Sequence, residues 1–210
     1  ALCLVQGVVV RLSRGQQLAR QAAQPLRLLQ VLRSLLGRGV EPVGVVCGRH
    51  DHEHAFFVTR AVHAAGGKIA MQCLHAGRQS FHPDMLAPSA KQSPIYPFQP
   101  KEMTEDDIER ELSNWANAAR LAKLAGYDGV EIMGSEGYLL NQFLTTRGNE
   151  RHDHWGGSYE NRMRYPLEVV RRVREAAGPD FIIVYRLSML DLVPDGQSFD
   201  EMIMFAKRLE

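Results

Sequence analysis

The sequence has almost no net charge, few cysteines and no long apolar run, and each of these absences excludes a class of protein. Its 25 basic and 24 acidic residues leave a formal net charge of +1 over 210 residues, which argues against a dedicated nucleic-acid or membrane-surface binder. No apolar run is long enough to span a bilayer. Cys3, Cys47 and Cys73 form no CxxC pair or metal-site spacing. They fit a reduced, cytoplasmic setting better than a disulfide framework.

The first fifty residues lack residue types that the later chain uses freely. They contain seven Arg and one acid, Glu41, but no Lys, Asp, Asn, Thr, Ile, Met, Phe, Tyr or Trp. Three explanations fit: a divergent start to the domain, out-of-frame translation of a GC-rich gene, or an Arg-rich targeting peptide. In a targeting helix the apolar face would consist of Leu28, Leu29, Leu32, Leu35 and Leu36. The composition changes near His52, so we divide the chain into an atypical segment, residues 1–52, and a domain, residues 53–210.

Beyond this point the sequence alternates predicted helices and strands. Helices are predicted over residues 55–65, from Thr104 as N-cap to Gly126, over 161–176 and from about Ser198. Strands are predicted from Lys68, over 127–133 and over 181–188, and residues 79–100 form a long loop. Such alternation implies a parallel sheet with crossover helices. No GxGxxG follows any strand, so a decorated α/β barrel is favoured over the open doubly wound sheet.

Polar residues lie near the ends of the three predicted strands, where α/β barrels keep their chemistry. They are Gln72 in QCLHAGR, Tyr138 in MGSEGYLLN and Arg186 in FIIVYRLS. Judged by residue type alone, a structural role is favoured for both Gln72 and Tyr138: Gln72 as a polar side chain satisfied by neighbouring backbone inside the barrel, and Tyr138 as a packing residue. Arg186 interrupts an apolar strand and needs an anionic partner, for which the carboxylates of Asp128 and Glu131 are candidates.

These segments resemble the Old Yellow Enzyme-like NADH:flavin oxidoreductases, and in particular the bacterial NADPH-dependent 2,4-dienoyl-CoA reductases. The resemblance rests on QxxHAGR from Gln72, on MGSEGY from Met133 and on NERHDHWGGSYENRMR from Asn149. It covers roughly residues 55–210. It implies a (β/α)8 TIM barrel, of which this chain would hold only the central strands and helices, because a complete barrel needs ~250 residues.

The resemblance also implies a role for each candidate residue. Gln72 matches the glutamine that hydrogen-bonds the pyrimidine edge of FMN, and Arg186 matches the arginine that stabilises the reduced flavin. Tyr138 matches a tyrosine that donates a proton to a substrate carbon after hydride transfer from the flavin. The implied substrate is an unsaturated acyl-CoA, as in fatty acid β-oxidation. His75 and Arg78 match the motif and are expected to shape the loop.

The turn after the second predicted strand departs from many Old Yellow Enzymes, which carry HxxH or HxxN there. This sequence has Met133 and Glu136 instead, which puts simple enone reduction in doubt and resembles the dienoyl-CoA reductase branch. Glu136 is expected to orient Tyr138 or a water, or else to pair with an Arg of the following loop.

His152 and His154 lie in a loop without a further ligand, so no metal site is predicted. The family signature of that loop is expected to be mostly structural: Arg151, Asp153, Gly156, Gly157, Asn161 and Arg162.

The long family members also use FAD, a 4Fe–4S cluster and NADPH, whose binding regions are expected beyond Glu210, together with the FMN phosphate site. The family's first strands would lie within residues 1–52. Three hypotheses follow. The chain belongs to an FMN-dependent reductase closest to 2,4-dienoyl-CoA reductase; to a general ene-reductase or amine dehydrogenase of the same family; or to an inactive fragment with exposed strand edges that favour aggregation.

Overall fold

The computed structural model describes the backbone of residues 3–4, 8–11 and 49–210, and side chains from Phe56 onward. The predicted leucine face between Leu28 and Leu36 lies outside the described residues. The strands are β1 Cys3–Leu4, β2 Val8–Arg11, β3 Lys68–His75, β4 Leu86–Ala87, β5 Lys101–Glu102, β6 Gly129–Gly134 and β7 Ile182–Leu187. The helices are α1 Arg49–Ala64, α2 Glu105–Leu124, α3 Leu139–Leu144, α4 Tyr159–Ala177 and α5 Phe199–Leu209, with a 3₁₀ turn at Gly77–Gln79.

The main sheet combines a parallel part with an antiparallel edge. Strands β3, β6 and β7 are adjacent and parallel, as predicted, with Gln72 opposite Glu131 and Met133 opposite Arg186. Strands β1 and β2 come from the first 52 residues, for which the sequence pattern predicted no strands, and they pair antiparallel with β3. Parallel strands need long crossover connections, and α2 and α4 supply them here.

The hydrophobic core lies between the sheet and its crossover helices. Helix α2 buries Ile108, Leu112, Trp115, Ala119 and Ala122, the five positions that its helical periodicity predicts. Phe143 of α3 stacks on Tyr165 of α4 with ring centroids 4.1 Å apart. Both residues belong to the same core cluster as these α2 residues. Strand β6 is buried along its whole length, with Val130 and Ile132 in the core cluster and Met133 in a second apolar cluster with Leu74 and Ala76.

The ends of the helices follow their capping residues. Thr104 is an N-cap, as predicted, and Ser198 caps the helix that was expected to begin near it. Each forms a capping box, with Asp107 and Glu201 respectively. Helix α4 begins at Tyr159, earlier than predicted, because the Ser158 hydroxyl accepts the Asn161 amide and caps it there.

Beyond residue 52, the sequence predicted neither the strands β4 and β5 nor helix α3. Strand β4, within the loop predicted over residues 79–100, pairs in parallel with β5, which lies just after that loop. Helix α3 is missed because all six of its residues are buried, so its sequence shows no alternation of apolar and polar faces. Within the part of the chain that the structure describes, no helix combines the length and apolar character needed to cross a membrane.

Candidate functional site

The two candidate side chains on strands, Gln72 and Arg186, are linked through a carboxylate on the strand between them. Gln72 on β3 donates from Nε2 to Oε1 of Glu131 on β6 over 2.6 Å. Nη1 of Arg186 on β7 lies 3.8 Å from the same Glu131 oxygen. Gln72 and Glu131 are buried, whereas the side chain of Arg186 is 50% exposed. Three neighbouring strands therefore present an amide, a carboxylate and a guanidinium on one face of the sheet.

Arg186 has a second anionic partner, which the sequence did not indicate. Its Nη2 lies 3.1 Å from Oε1 of Glu136, in the turn after β6. Glu136 therefore pairs with an arginine on the next strand and not with one in the following loop. Of the two partners expected for Arg186, Glu131 is correct and Asp128 is wrong. Asp128 lies at the opposite end of β6, where it accepts hydrogen bonds from Lys68 and the Ile69 amide and pairs with His63.

The turn after β6 is held in an uncommon backbone conformation. Glu136 has a φ of 63° and Gly137 a φ of 76°, both in the left-handed region that most side chains avoid. Such conformations persist only when surrounding contacts impose them, and they concentrate at functional sites. Here the Glu136 amide donates to Oγ of Ser188, and the Gly137 amide donates to Oδ1 of Asn141.

Tyr138 follows this turn at the start of α3. Its ring is half-buried against Leu74, Ala76 and Met133, which form a small apolar cluster at the carboxyl ends of β3 and β6. Tyr138 therefore lies toward the carboxyl ends of the parallel strands, as Gln72 on β3 and Arg186 on β7 do. The parallel register thus brings all three predicted residues to one end of the sheet.

Gln142 joins the turns that follow β3 and β6. Its Nε2 donates to the carbonyl of Gly137 over 2.6 Å and to that of Ala76 over 3.2 Å. Its Oε1 accepts the amide of Arg78 over 3.1 Å. Gln142 is 2% exposed, so these bonds form away from water. The sequence signal for this role is two polar residues, Asn141 and Gln142, inside the otherwise apolar run LLNQFL.

His75 and Arg78 lie in the turn after β3 and face the protein interior. The Gly77 amide donates to Nδ1 of His75 over 3.0 Å, and Nε2 of His75 faces the buried carboxylate of Glu111 at 3.8 Å. Burial disfavours the imidazolium and lowers the pKa of His75 to about 4. His75 is therefore neutral near neutral pH and suits a framework role. Burial likewise lowers the pKa of Arg78.

The segment from Asn149 to Arg164, a loop that continues into α4 at Tyr159, is organised by the buried Arg151. Its Nη1 donates to the carbonyls of Pro88 and Met103, and its other nitrogens bind Asp153 through both carboxylate oxygens. Nε2 of His154 lies 3.6 Å from Glu105, and no group of three or more metal-ligating side chains occurs among the described residues. The contacts of this signature therefore join it to the long loop and to α2.

Comparison with known proteins places this geometry in a family. The sequence model of the NADH:flavin oxidoreductase / NADH oxidase family matches residues 38–210. The NADH oxidase of Thermoanaerobacter brockii is 42% identical over 162 residues, which cover 74% of this chain and 25% of that protein. The NADPH dehydrogenase of Geobacillus sp. (strain WCH70) is 43% identical over 147 residues, which cover 69% of this chain and 42% of that protein.

Solved structures agree with the sequence comparison. An old yellow enzyme homologue from Zymomonas mobilis superposes with a TM-score of 0.73 at 32% identity, covering 82% of this chain and 53% of that one. A 2-naphthoyl-CoA reductase complex superposes with a TM-score of 0.72 at 32% identity, covering 80% of this chain and 28% of that one. The chain thus spans between a quarter and about half of the length of these relatives. It belongs to the NADH:flavin oxidoreductase / NADH oxidase family, whose members bind FMN, and its sheet is part of an Old Yellow Enzyme-type TIM barrel.

Proposed function

We propose that this chain forms the flavin- and substrate-facing part of an FMN-dependent reductase that uses NADPH to reduce activated carbon–carbon double bonds. The observation that carries the proposal is the convergence of Gln72, Arg186 and Tyr138 at one end of three parallel strands. The first two are linked through Glu131 at 2.6 and 3.8 Å. The third follows a turn in a left-handed conformation, which is tied to the loop after β7.

The donors and acceptors at this edge fit the ring of FMN. Gln72 uses one Nε2 hydrogen for Glu131, which leaves Oε1 and the second hydrogen for a ring edge that both donates and accepts. Arg186 is half exposed and keeps N–H groups beyond its two ion pairs. A guanidinium in this position offsets negative charge that develops on a reduced ring. FMN, when bound, supplies the hydride.

Tyr138 supplies the proton in this proposal. Its ring is held by Leu74, Ala76 and Met133, so the direction of the phenol follows from packing. A phenolic O–H is protonated at neutral pH and donates to the substrate carbon next to the one that receives hydride. Gln142 and Asn141 fix the turn that carries it.

We propose an unsaturated acyl-CoA, most like a 2,4-dienoyl-CoA, as the substrate. Met133 and Glu136 occupy the positions where many Old Yellow Enzymes carry a pair that holds a ketone oxygen. Met133 is buried and apolar, and Glu136 is committed to Arg186, so neither offers a hydrogen-bond donor to an enone oxygen. The similarity to a 2-naphthoyl-CoA reductase gives independent support for a CoA thioester.

An amine is the second candidate substrate. The N,N-dimethylglycine/sarcosine dehydrogenase of Chromohalobacter salexigens is 40% identical over 147 residues, which cover 21% of that protein. Turnover of a dienoyl-CoA, of cyclohexenone and of sarcosine, measured side by side, separates the candidates. Preference for sarcosine would replace the reductase proposal, and preference for cyclohexenone would replace the acyl-CoA.

The first test is an FMN titration followed by quenching of flavin fluorescence. We expect saturable, micromolar or tighter binding to the protein. Absence of binding would contradict the proposal for this chain and would favour the inactive fragment.

The second test replaces Tyr138 by Phe. We expect FMN affinity and flavin reduction by NADPH to be unchanged, whereas reoxidation by the unsaturated substrate slows by about 10²–10⁴-fold, the usual contribution of a positioned general acid. Tyr127→Phe is the matched control, because Tyr127 precedes β6 at the opposite end of the sheet. Unchanged reoxidation in Tyr138→Phe would exclude the proton-donor role.

A further inference from the structure

We propose that Glu131 is a positioning residue for the flavin site, a role that no part of the proposed function assigns to it. It holds the amide of Gln72 in one orientation and balances the charge of Arg186. This inference rests on the proposed FMN site.

The position of Glu131 follows from the register of the sheet. Glu131 lies on the central strand β6, directly opposite Gln72 on β3, while Arg186 lies on β7 opposite Met133, two residues further along. Side chains of residues two apart share a face of the sheet. Arg186 therefore reaches back to Glu131 at 3.8 Å and forward to Glu136 at 3.1 Å. Glu131 thus lies two residues before the position opposite Arg186, and its carboxylate is buried whereas the Arg186 side chain is half exposed.

The contact with Glu131 fixes which end of the Gln72 amide points away from it. A carboxylate only accepts hydrogen bonds, so only the Nε2 end of the amide can face it at 2.6 Å. Oε1 of Gln72 is then turned to the opposite side, where it can accept a hydrogen bond from a ring N–H. Without this contact the amide could rotate by 180° and exchange Oε1 with Nε2. In that orientation its Nε2–H donors would face the ring N–H, which is also a donor.

Glu131 also limits the positive charge that Arg186 presents. A buried carboxylate near a guanidinium offsets part of its field, and the effect is larger away from water. The reduced flavin carries negative charge. If Glu131 no longer offsets the positive charge of Arg186, that charge stabilises the reduced state more strongly. Removal of the Glu131 charge is therefore expected to affect oxidised-FMN binding and the flavin reduction potential through two separate contacts.

The experiment compares Glu131→Gln with the unaltered protein in two measurements. For Glu131→Gln we expect oxidised FMN to bind about tenfold more weakly, because a glutamine can pair with either end of the Gln72 amide, and tenfold corresponds to about 1.4 kcal/mol. We also expect the reduction potential of bound FMN to shift to a more positive value. A residue with a merely structural role would weaken binding without this shift.

Two variants separate the contacts. Glu136→Gln removes the other partner of Arg186 without touching Gln72, so it should raise the potential while oxidised-FMN affinity stays within about twofold, well below the tenfold step of 1.4 kcal/mol. Glu131→Asp keeps the charge but shortens the side chain. Glu131→Asp should weaken FMN binding with little shift in the reduction potential. It also tests the contact with Gln72 if Glu131→Gln does not fold. Glu109→Gln, at the exposed ion pair with Arg172, controls for the loss of a surface charge.

A double-mutant cycle tests whether Glu131 acts through Gln72. In a Gln72→Leu background, Glu131→Gln should cause no further loss of FMN affinity. Additive losses would overturn the inference, as would wild-type affinity and potential in Glu131→Gln, and either result leaves the proposed function standing. If the unaltered protein binds no FMN, the proposed function fails and this inference fails with it.

Discussion

Gln142 offers a quantitative test of how the site is held together. Its side chain forms three hydrogen bonds to backbone groups of two different turns, and it is fully buried. The change Gln142→Leu keeps a similar volume but removes all three bonds. It leaves the carbonyls of Ala76 and Gly137 and the amide of Arg78 without these partners in a dry environment.

The expected loss of stability follows from these contacts. Each lost bond costs about 1 kcal/mol net when water can replace it, and about 1–3 kcal/mol when the remaining group stays buried and unpaired. The Ala76 carbonyl keeps the Gln79 amide as a second donor. One lost bond at about 1 kcal/mol and two unpaired groups at about 1–3 kcal/mol each then give an expected decrease of about 3–7 kcal/mol in the free energy of unfolding. The turns that carry Arg78 and Tyr138 also lose their connection, so FMN affinity and turnover should fall as well.

Urea denaturation followed by tryptophan fluorescence measures this loss, because Trp115 and Trp155 are both buried in the main core cluster. Gln99→Leu is the matched control. Gln99 is exposed and its Nε2 makes one bond, to the carbonyl of Ala90, so less than about 0.5 kcal/mol is expected. A loss below about 1 kcal/mol in Gln142→Leu would refute the view that Gln142 connects the two turns.

Two further changes test contacts that stabilise the fold. Burial raises the pKa of Asp128, but hydrogen bonds from His63, the Ile69 amide and Lys68 outweigh it and bring the pKa down to about 2. Because the pKa in the folded state is below the ordinary value of 3.8, Asp128→Asn should lower the free energy of unfolding by about 2 kcal/mol at pH 7. The difference from wild type should disappear as the pH falls from about 4 to 2. A difference of the same size at about pH 2 would contradict this origin. Arg151→Lys removes the planar fork that binds Asp153, Pro88 and Met103. It should speed limited proteolysis within residues 80–100, whereas Arg164→Lys, at an exposed arginine, should not, and equal rates in both variants would argue against an organising role for Arg151.

The sequence alone determined the elements whose signals are local. Thr104 and Ser198 cap helices because a hydroxyl followed three residues later by an acid satisfies free amides at a helix start. The inward face of α2 followed from apolar positions that recur from Ile108 to Ala122, over about four turns. The order of strands and helices fixed a parallel arrangement of β3, β6 and β7, and therefore placed Gln72, Tyr138 and Arg186 at one end of the sheet.

Only the tertiary structure decided which side chains meet across strands and turns. Glu131 and Asp128 are both acids of the same strand region, and nothing in their spacing shows that the first faces Arg186 while the second pairs with His63 and Lys68. The pleat of the strand and the register with its neighbours make that choice, since a shift of one residue would turn every side chain to the other face. Gln142 likewise gains its role from turns that are distant in sequence. Contacts of this kind depend on the packing of the whole sheet, and local pattern does not encode them.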